Sequence, residues 1–157
     1  MDEHEHEHEP MPPQDLAAFH ATVQQDMRRW LERAVIGLNL CPFAKAVHVK
    51  GQIHYAVSSA RDPQALLADL EFELKDLVAQ DPQARDTTLL IAPHGLQRFA
   101  DFNDFLAEAD AALLRLTLAG LLQIANMPKR LVDKHALALL ALLHGEPTDF
   151  QDDPSPD

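Results

Sequence analysis

The sequence has one cysteine, one tryptophan and one tyrosine among its 157 residues. A single cysteine cannot close a disulfide within the chain, so nothing indicates a disulfide-stabilised extracellular protein. The sequence also lacks a signal-peptide-like segment and an apolar run long enough to span a bilayer. We therefore expect a soluble, cytoplasmic protein that makes no contact with a membrane.

Basic residues are missing from both ends of the chain. The formal net charge is -12, but residues 1–14 and 145–157 hold ten of the 25 acids and no lysine or arginine. The middle of the chain is nearly neutral, with 15 acids against 13 bases. Proteins that bind the phosphate backbone have clusters of lysine and arginine, and no stretch here has one. We therefore expect that nucleic acid is not a partner.

The two acidic ends have compositions typical of disordered segments. Residues 1–14 alternate glutamate with histidine and then reach three prolines, which leaves them little apolar surface to bury. The His-Glu run fits a native polar tail and an appended purification tag equally well. We predict a single folded domain over residues 15–144, between disordered tails at 1–14 and 145–157.

Apolar spacing within residues 15–144 predicts about four helices and four short strands. Spacings of three and four predict helices over about 15–36, 63–80, 101–116 and 128–143. Short β-branched or apolar runs predict strands at 87–92 and 120–125. With a hairpin between the first two helices, this order predicts an α+β fold, a two-layer sandwich with a mixed sheet.

The predicted hairpin lies within residues 46–57 and turns at Lys50 and Gly51. A three-residue loop keeps the apolar residues of both strands on one face, whereas a two-residue loop would split them. The same loop length brings His48 and His54 together on the opposite face.

The one cysteine lies in the stretch Gly37-Leu38-Asn39-Leu40-Cys41-Pro42-Phe43-Ala44. Gly37 can end the preceding helix, and Pro42 pushes Cys41 toward an extended backbone. Cys41 is therefore held by backbone constraint, which suits a functional site and a structural turn alike. The preceding helix end carries partial negative charge, which would raise the pKa of a nearby thiol.

Three roles for Cys41 stay open on the sequence alone. It can be a small buried apolar residue that stabilises the turn. It can be a nucleophile or redox-sensitive thiol, with His94 or His48 as base and Asn39 or Asn103 as orienting group or oxyanion donor. It can also join His48 and His94 as a ligand of a divalent metal such as zinc.

Several segments resemble one family of uncharacterised bacterial proteins of unknown function. The distinctive part is Arg29-Trp30-Leu31-Glu32-Arg33-Ala34-Val35-Ile36 followed by Gly37-Leu38-Asn39-Leu40-Cys41-Pro42-Phe43-Ala44 and then Val-His-Val-Lys-Gly. The resemblance continues at 87–94, 101–106 and 120–125, and spans residues 28–125. It implies kinship without supplying an activity.

The chain departs from that family after the segment 120–125. The family pattern continues with a His-Pro element and an Asn-Arg-Ser-Pro-Tyr-Pro stretch, whereas here Asn126-Met127-Pro128 leads into a leucine-rich segment. The chain thus resembles a shortened or diverged member.

Two functions are consistent with these observations. The first is a thiol-dependent or metal-assisted enzyme centred on Cys41 that acts on a small molecule. The second is an interaction module that uses the leucine-rich helix predicted over residues 128–144 to bind another protein or a second copy of the chain.

Overall fold

The computed structural model describes residues 12–38, 42–94, 99–126 and 138–144. The positions of Asn39 and Cys41, the tail residues 1–11 and 145–157, and most of the predicted last helix lie outside these ranges. The described helices are α1 (Pro13–Trp30), α2 (Pro42–Val49), α3 (Pro63–Ala79) and α4 (Phe99–Arg115), and a π-helix (Leu31–Ile36) continues α1. The strands are β1 (Ile53–Val57), β2 (Thr87–Ala92), β3 (Leu122–Asn126) and β4 (Ala138–His144).

The four strands form one mixed sheet in the order β1-β2-β4-β3. β1 and β2 run parallel, and β4 runs antiparallel to both of its neighbours, β2 and β3. All six residues of β2 are buried. A strand covered on both faces needs apolar side chains at successive positions, which explains the unbroken run Leu89-Leu90-Ile91-Ala92.

Helices cover both faces of the sheet. One core joins α3 and α4 to the face that carries Ala56, Leu90 and Leu142. The other core joins α1 and the π-helix to the face that carries Tyr55 and Ile91. The α+β class, with four helices and a mixed four-stranded sheet, is confirmed; the layers number three, whereas the sequence predicted two.

The first strand of the predicted hairpin is wrong, because residues 42–49 form α2. Gly51 has φ 68°, and its N–H donates to the His48 carbonyl at 3.1 Å. The Gln52 N–H donates to the Val47 carbonyl at 2.9 Å. These two bonds form a Schellman cap, so Gly51 ends a helix instead of turning a hairpin. His48 and His54 are consequently not cross-strand neighbours.

The predicted last helix is also wrong where it can be compared, because residues 138–144 form β4 in the interior of the sheet. Leu139, Leu140 and Leu142 are buried against the two opposite faces. The leucines of this segment point to both faces because helices cover the sheet on both sides of β4. These leucines are not available to bind a second copy of the chain.

α1 and the π-helix that continues it form one helical run, which lies antiparallel to β1. Near the start of α1, His20 contacts Ser59, just beyond the carboxyl end of β1. Further along, the Gln24 side-chain amide donates to the Tyr55 carbonyl at 2.8 Å. The π-helix therefore lies toward the amino end of β1. Within the described ranges, no helix combines the length and apolarity that crossing a membrane requires.

Candidate functional site

The helix that leads into the cysteine motif ends with an unusual geometry. The π-helix closes with the Gly37 N–H donating to the Glu32 carbonyl at 3.0 Å, a bond across five residues. A Cβ at Gly37 would lie 2.5 Å from the Arg33 carbonyl oxygen, so only glycine fits there without a shift of the backbone. α2 begins within the motif, at Pro42.

His48 lies in the last turn of α2, where its Nε2 donates to Glu32 Oε1 at 3.1 Å. Glu32 belongs to the first turn of the π-helix. α2 therefore doubles back along the π-helix, with its first residue toward Gly37 and its last turn toward Glu32. The His48 ring is oriented by a carboxylate, and this pair ties α2 to the helix before it.

His94 and Asn103 lie at the other end of the molecule. His94 follows the carboxyl end of β2 and stacks on Phe19, with ring centroids 5.4 Å apart. Asn103 is exposed on α4, the next helix in the chain.

The structure therefore does not bring His48 and His94 together. Phe19, beside His94, and Glu32, beside His48, are 13 residues apart on one helical run. At about 1.5 Å per residue they are separated by roughly 20 Å. One metal ion cannot reach both histidines across that distance. No group of three or more potential ligands that could hold a metal occurs within the described part of the chain.

The carboxyl end of β1 carries a second set of polar contacts. His20 Nε2 and Ser59 Oγ share a hydrogen bond of 2.9 Å. The buried Ser58 hydroxyl donates to Asp69 Oδ2 at 2.5 Å and accepts the Ala60 N–H at 3.1 Å. This end of a parallel strand pair is where ligands commonly bind in open sheets that contain parallel strands.

A cleft of about 360 Å³ opens beside these contacts, between β1 and α3. Its size falls within the range of about 300–1,000 Å³ that is usual for small-molecule sites. The wall from α3 carries a carboxyl pair and an aromatic ring, and the rest is apolar or carries hydroxyls. The lining residues are Ala56, Val57, Ser58, Ser59, Asp69, Phe72, Glu73 and Leu90.

Glu73 is the electrostatically unusual group in this cleft. Burial, and then repulsion from Asp76, raise the pKa of its carboxyl above the ordinary value, although Arg85 opposes the change. Burial, and then the positive charge of Arg85, lower the pKa of His54. The His54 Nε2 to Glu73 Oε2 distance of 3.9 Å is within ion-pair range. Both pKa changes disfavour the charged forms of these two side chains, so the contact is a weak ion pair.

A larger hollow, of about 550 Å³, lies between the first turn of α3 and α4. Carboxylates including Asp101, Asp104 and Glu108 line it, and all three residues are exposed. Exposed carboxylates are satisfied by water, so this hollow carries less chemical information than the smaller cleft.

Sequence reasoning missed the residues of the smaller cleft. Ser58 and Ser59 directly follow a predicted strand, and Asp69 and Glu73 are four residues apart on a predicted helix. The i, i+4 spacing of two carboxyls on a half-buried helix was the available signal. It was weak, because the same spacing is common on solvated helix faces.

The fold and the site together define an α+β protein with a π-helix toward one end of the sheet and a polar cleft at the other. The chain belongs to the family described as protein of unknown function (DUF1415), whose model matches residues 22–132. No curated protein and no solved structure matches the chain.

Proposed function

We propose that this protein is a thiol-dependent enzyme in which Cys41 is the reacting group. The observation that carries the proposal is that α2 begins at Pro42, the residue after Cys41. The first turn of a helix carries partial positive charge, which stabilises a thiolate near it and lowers the pKa of the thiol. The negative end of the preceding helix lies further away along the chain, since the π-helix ends at Ile36.

The geometry before the motif supports a functional role for it. π-helical turns are rare in proteins and occur frequently at functional sites. Here the π-helix brings the Arg33 carbonyl so close to Gly37 that no other residue fits without a shift.

The sequence-predicted partners of Cys41 take different roles in this proposal. His48 lies six residues after Pro42, about 9 Å along the axis of α2, so we assign it a positioning role through Glu32 and no proton transfer. Asn39 stays the proposed oxyanion donor because it is two residues from Cys41. His94 and Asn103 lie at the opposite end of the sheet, and we leave them out of the thiol chemistry.

The test is the rate at which iodoacetamide alkylates Cys41 in the native protein between pH 4 and 10. We expect a thiol pKa clearly below the reference value of about 8.5. Once a substrate is found, Cys41→Ser and Cys41→Ala should both abolish its turnover. A thiol that reacts only after unfolding, or that titrates at or above about 8.5, would overturn the proposal.

Two charge reversals serve as a matched pair for the helix contribution. Lys45 and Lys50 are both exposed, near the first turn of α2 and just past its end. Lys45→Glu should raise the pKa of the Cys41 thiol, and Lys50→Glu should raise it less, because solvent and salt screen the more distant charge. Equal effects would mean that the thiol does not lie beside the first turn of α2.

The two alternatives have less support. A metal-assisted reaction at Cys41, His48 and His94 conflicts with the separation of the two histidines, and measuring bound zinc in the alkylation sample, with residues 1–11 removed, tests it directly. An interaction module was expected to use a leucine-rich helix over 128–144, but residues 138–144 are a strand inside the sheet.

We also propose that the protein works in the bacterial cytoplasm. Reducing conditions there keep a reactive thiol in its active, reduced form.

A further inference from the structure

The polar cleft between β1 and α3 contains a carboxyl oxygen whose hydrogen bonding is incomplete. Glu73 Oε2 is buried and has no hydrogen-bond partner within the described residues. The His54 ring nitrogen, at 3.9 Å, is too distant to donate to it. A buried polar atom without a partner is costly, so a ligand that donates a hydrogen bond here would remove that cost.

A second polar atom without a partner lies on the same face of the sheet. Thr88 is fully buried, and its Oγ1 has no hydrogen-bond partner in the part of the chain that the structure describes. Thr88 is paired in register with His54, and Leu90, two residues further along β2, lines the cleft. Alternate residues of a strand share a face, so Thr88 lies on the face of the sheet that α3 covers, two residues along β2 from the cleft lining.

The charges around the cleft favour a cation. Asp69 and Glu73 lie four residues apart on α3 and both line it, and none of the described residues in its lining is a lysine or an arginine. The nearby Arg85 is already engaged, since its Nη1 donates to Asp76 Oδ2 at 2.5 Å. The field inside the cleft is therefore negative.

The remaining walls favour an organic cation over a metal ion. Ala56, Val57 and Leu90 supply apolar surface, and the ring of Phe72 is exposed, at 66%. An exposed aromatic ring beside carboxyls can cover an ammonium group through a cation–π contact. Two carboxyls, one of them already bonded to Ser58, are too few to enclose a calcium ion.

We propose that this cleft binds a small organic ammonium ion, with the ammonium group donating to Glu73 Oε2 beside the Phe72 ring and the apolar part lying against Ala56, Val57 and Leu90. The hydrogen bond from Ser58 to Asp69 joins the β1 side of the cleft to its α3 wall. The site lies at the carboxyl end of β1, so it is independent of the thiol proposed above.

The experiment is calorimetric titration of the full chain with benzylammonium at pH 7 and low salt, with benzyl alcohol as the neutral probe of matched shape. We expect benzylammonium to bind and benzyl alcohol to bind at least tenfold more weakly. Equal binding of the two probes would overturn the proposal. So would the finding that calcium ion binds more tightly than benzylammonium at the same site.

Matched variants on α3 identify the carboxyl that is responsible. Glu73→Gln should weaken benzylammonium binding at least tenfold. Glu71→Gln makes the same chemical change on the same helix, where Glu71 pairs with Arg115, and it should leave binding within about twofold of the wild-type protein. Equal losses in both variants would mean that only the general negative charge attracts the ligand.

Two further variants separate ligand binding from folding defects and from the role of Cys41. Phe72→Ala removes an exposed ring, so the fold should survive while affinity falls severalfold. Cys41→Ala should bind benzylammonium as the wild-type protein does. Unchanged affinity in Phe72→Ala, or loss of binding in Cys41→Ala, would contradict the proposed site.

Discussion

At the scale of single residues, burial without a matching partner separates Glu73 from the other carboxyls of α3. Asp69 accepts from Ser58, Asp76 accepts from Arg85, and Glu71 pairs with Arg115. The side chain of Glu73 is only 14% exposed, and its Oε2 has no hydrogen-bond partner within the described ranges. The fold therefore tolerates one unfavourable carboxyl at a cleft, which is typical of groups kept for function.

The raised pKa of Glu73 has a predictable effect on stability. Between the ordinary carboxyl pKa of 4.5 and the raised pKa in the folded state, the folded protein binds more protons than the unfolded chain. The stabilising contribution of protonated Glu73 to folding is fully present below pH 4.5 and is lost as the pH rises through the folded-state pKa. Glutamine stays neutral, so the stability advantage of Glu73→Gln over the wild-type protein should grow between pH 4 and 8.

Urea unfolding at several pH values measures this difference. The lowered pKa of His54 makes stability rise with pH. This effect comes from burial and Arg85, which are the same in both proteins, so it cancels in the difference. Glu108→Gln, which changes an exposed carboxylate on α4, should show a much flatter difference. An advantage of Glu73→Gln that is constant with pH, or that shrinks as the pH rises, would contradict the assignment.

At the scale of elements, the sequence correctly predicted the helices and strands whose apolar spacing fits only one type of secondary structure. The prediction of a helix over 63–80 matches α3 (Pro63–Ala79), where Asp62 caps the helix by accepting the Ala65 N–H at 2.8 Å. The prediction of a strand at 87–92 matches β2 in full. Caps and uninterrupted apolar periods fix such elements locally.

The two misassigned elements have ambiguous local patterns. Val47 and Val49 alternate as in a strand, but Val49 is 74% exposed on α2, and the Lys-Gly pair that suggested a turn caps this helix. In β4 the leucines have high helix propensity, and a fully apolar run fits a buried helix or a central strand. Only the pairing of β4 with β2 and β3 decides between them.

The sequence likewise predicted one of the two candidate sites and missed the other. The sequence identified the cysteine motif, because Gly37 and Pro42 impose local restrictions. It did not find the cleft, since Ser58 and Glu73 approach each other only when α3 packs on the sheet. Sequence separation also hid the roughly 20 Å between His48 and His94.

The junction between the π-helix and the motif gives a prediction at this scale. Gly37→Ala puts a Cβ against the Arg33 carbonyl, so the backbone must shift and the π-helix must open or move. We expect the free energy of unfolding in urea to fall by about 1–3 kcal/mol, the usual range for overpacking.

Gly120→Ala is the matched control, because a Cβ at Gly120 meets nothing within 4 Å. It should change stability by no more than about 0.5 kcal/mol. If the two substitutions had the same effect, the close approach at Gly37 would not constrain the folded protein.

At the scale of the whole molecule, the sheet depends on a strand outside the segment that defines the family. The family match covers residues 22–132, whereas β4 begins at Ala138 and lies between β2 and β3. Without β4, the pair β1–β2 and the strand β3 have no hydrogen-bonded connection in the described structure. The leucine-rich segment therefore holds the two halves of this sheet together.

Leu142→Ala tests this arrangement against the exposed helix that the sequence suggested. Leu142 is 0% exposed, so its truncation should lower the free energy of unfolding by about 2–5 kcal/mol. Leu121→Ala removes a leucine that is 56% exposed and should cost less than about 1 kcal/mol. If residues 138–144 instead formed an exposed helix that binds a second copy, Leu142→Ala would leave the monomer stable and dissociate a dimer. Urea unfolding together with light scattering separates the two results, because a central strand predicts lost stability at unchanged molecular mass.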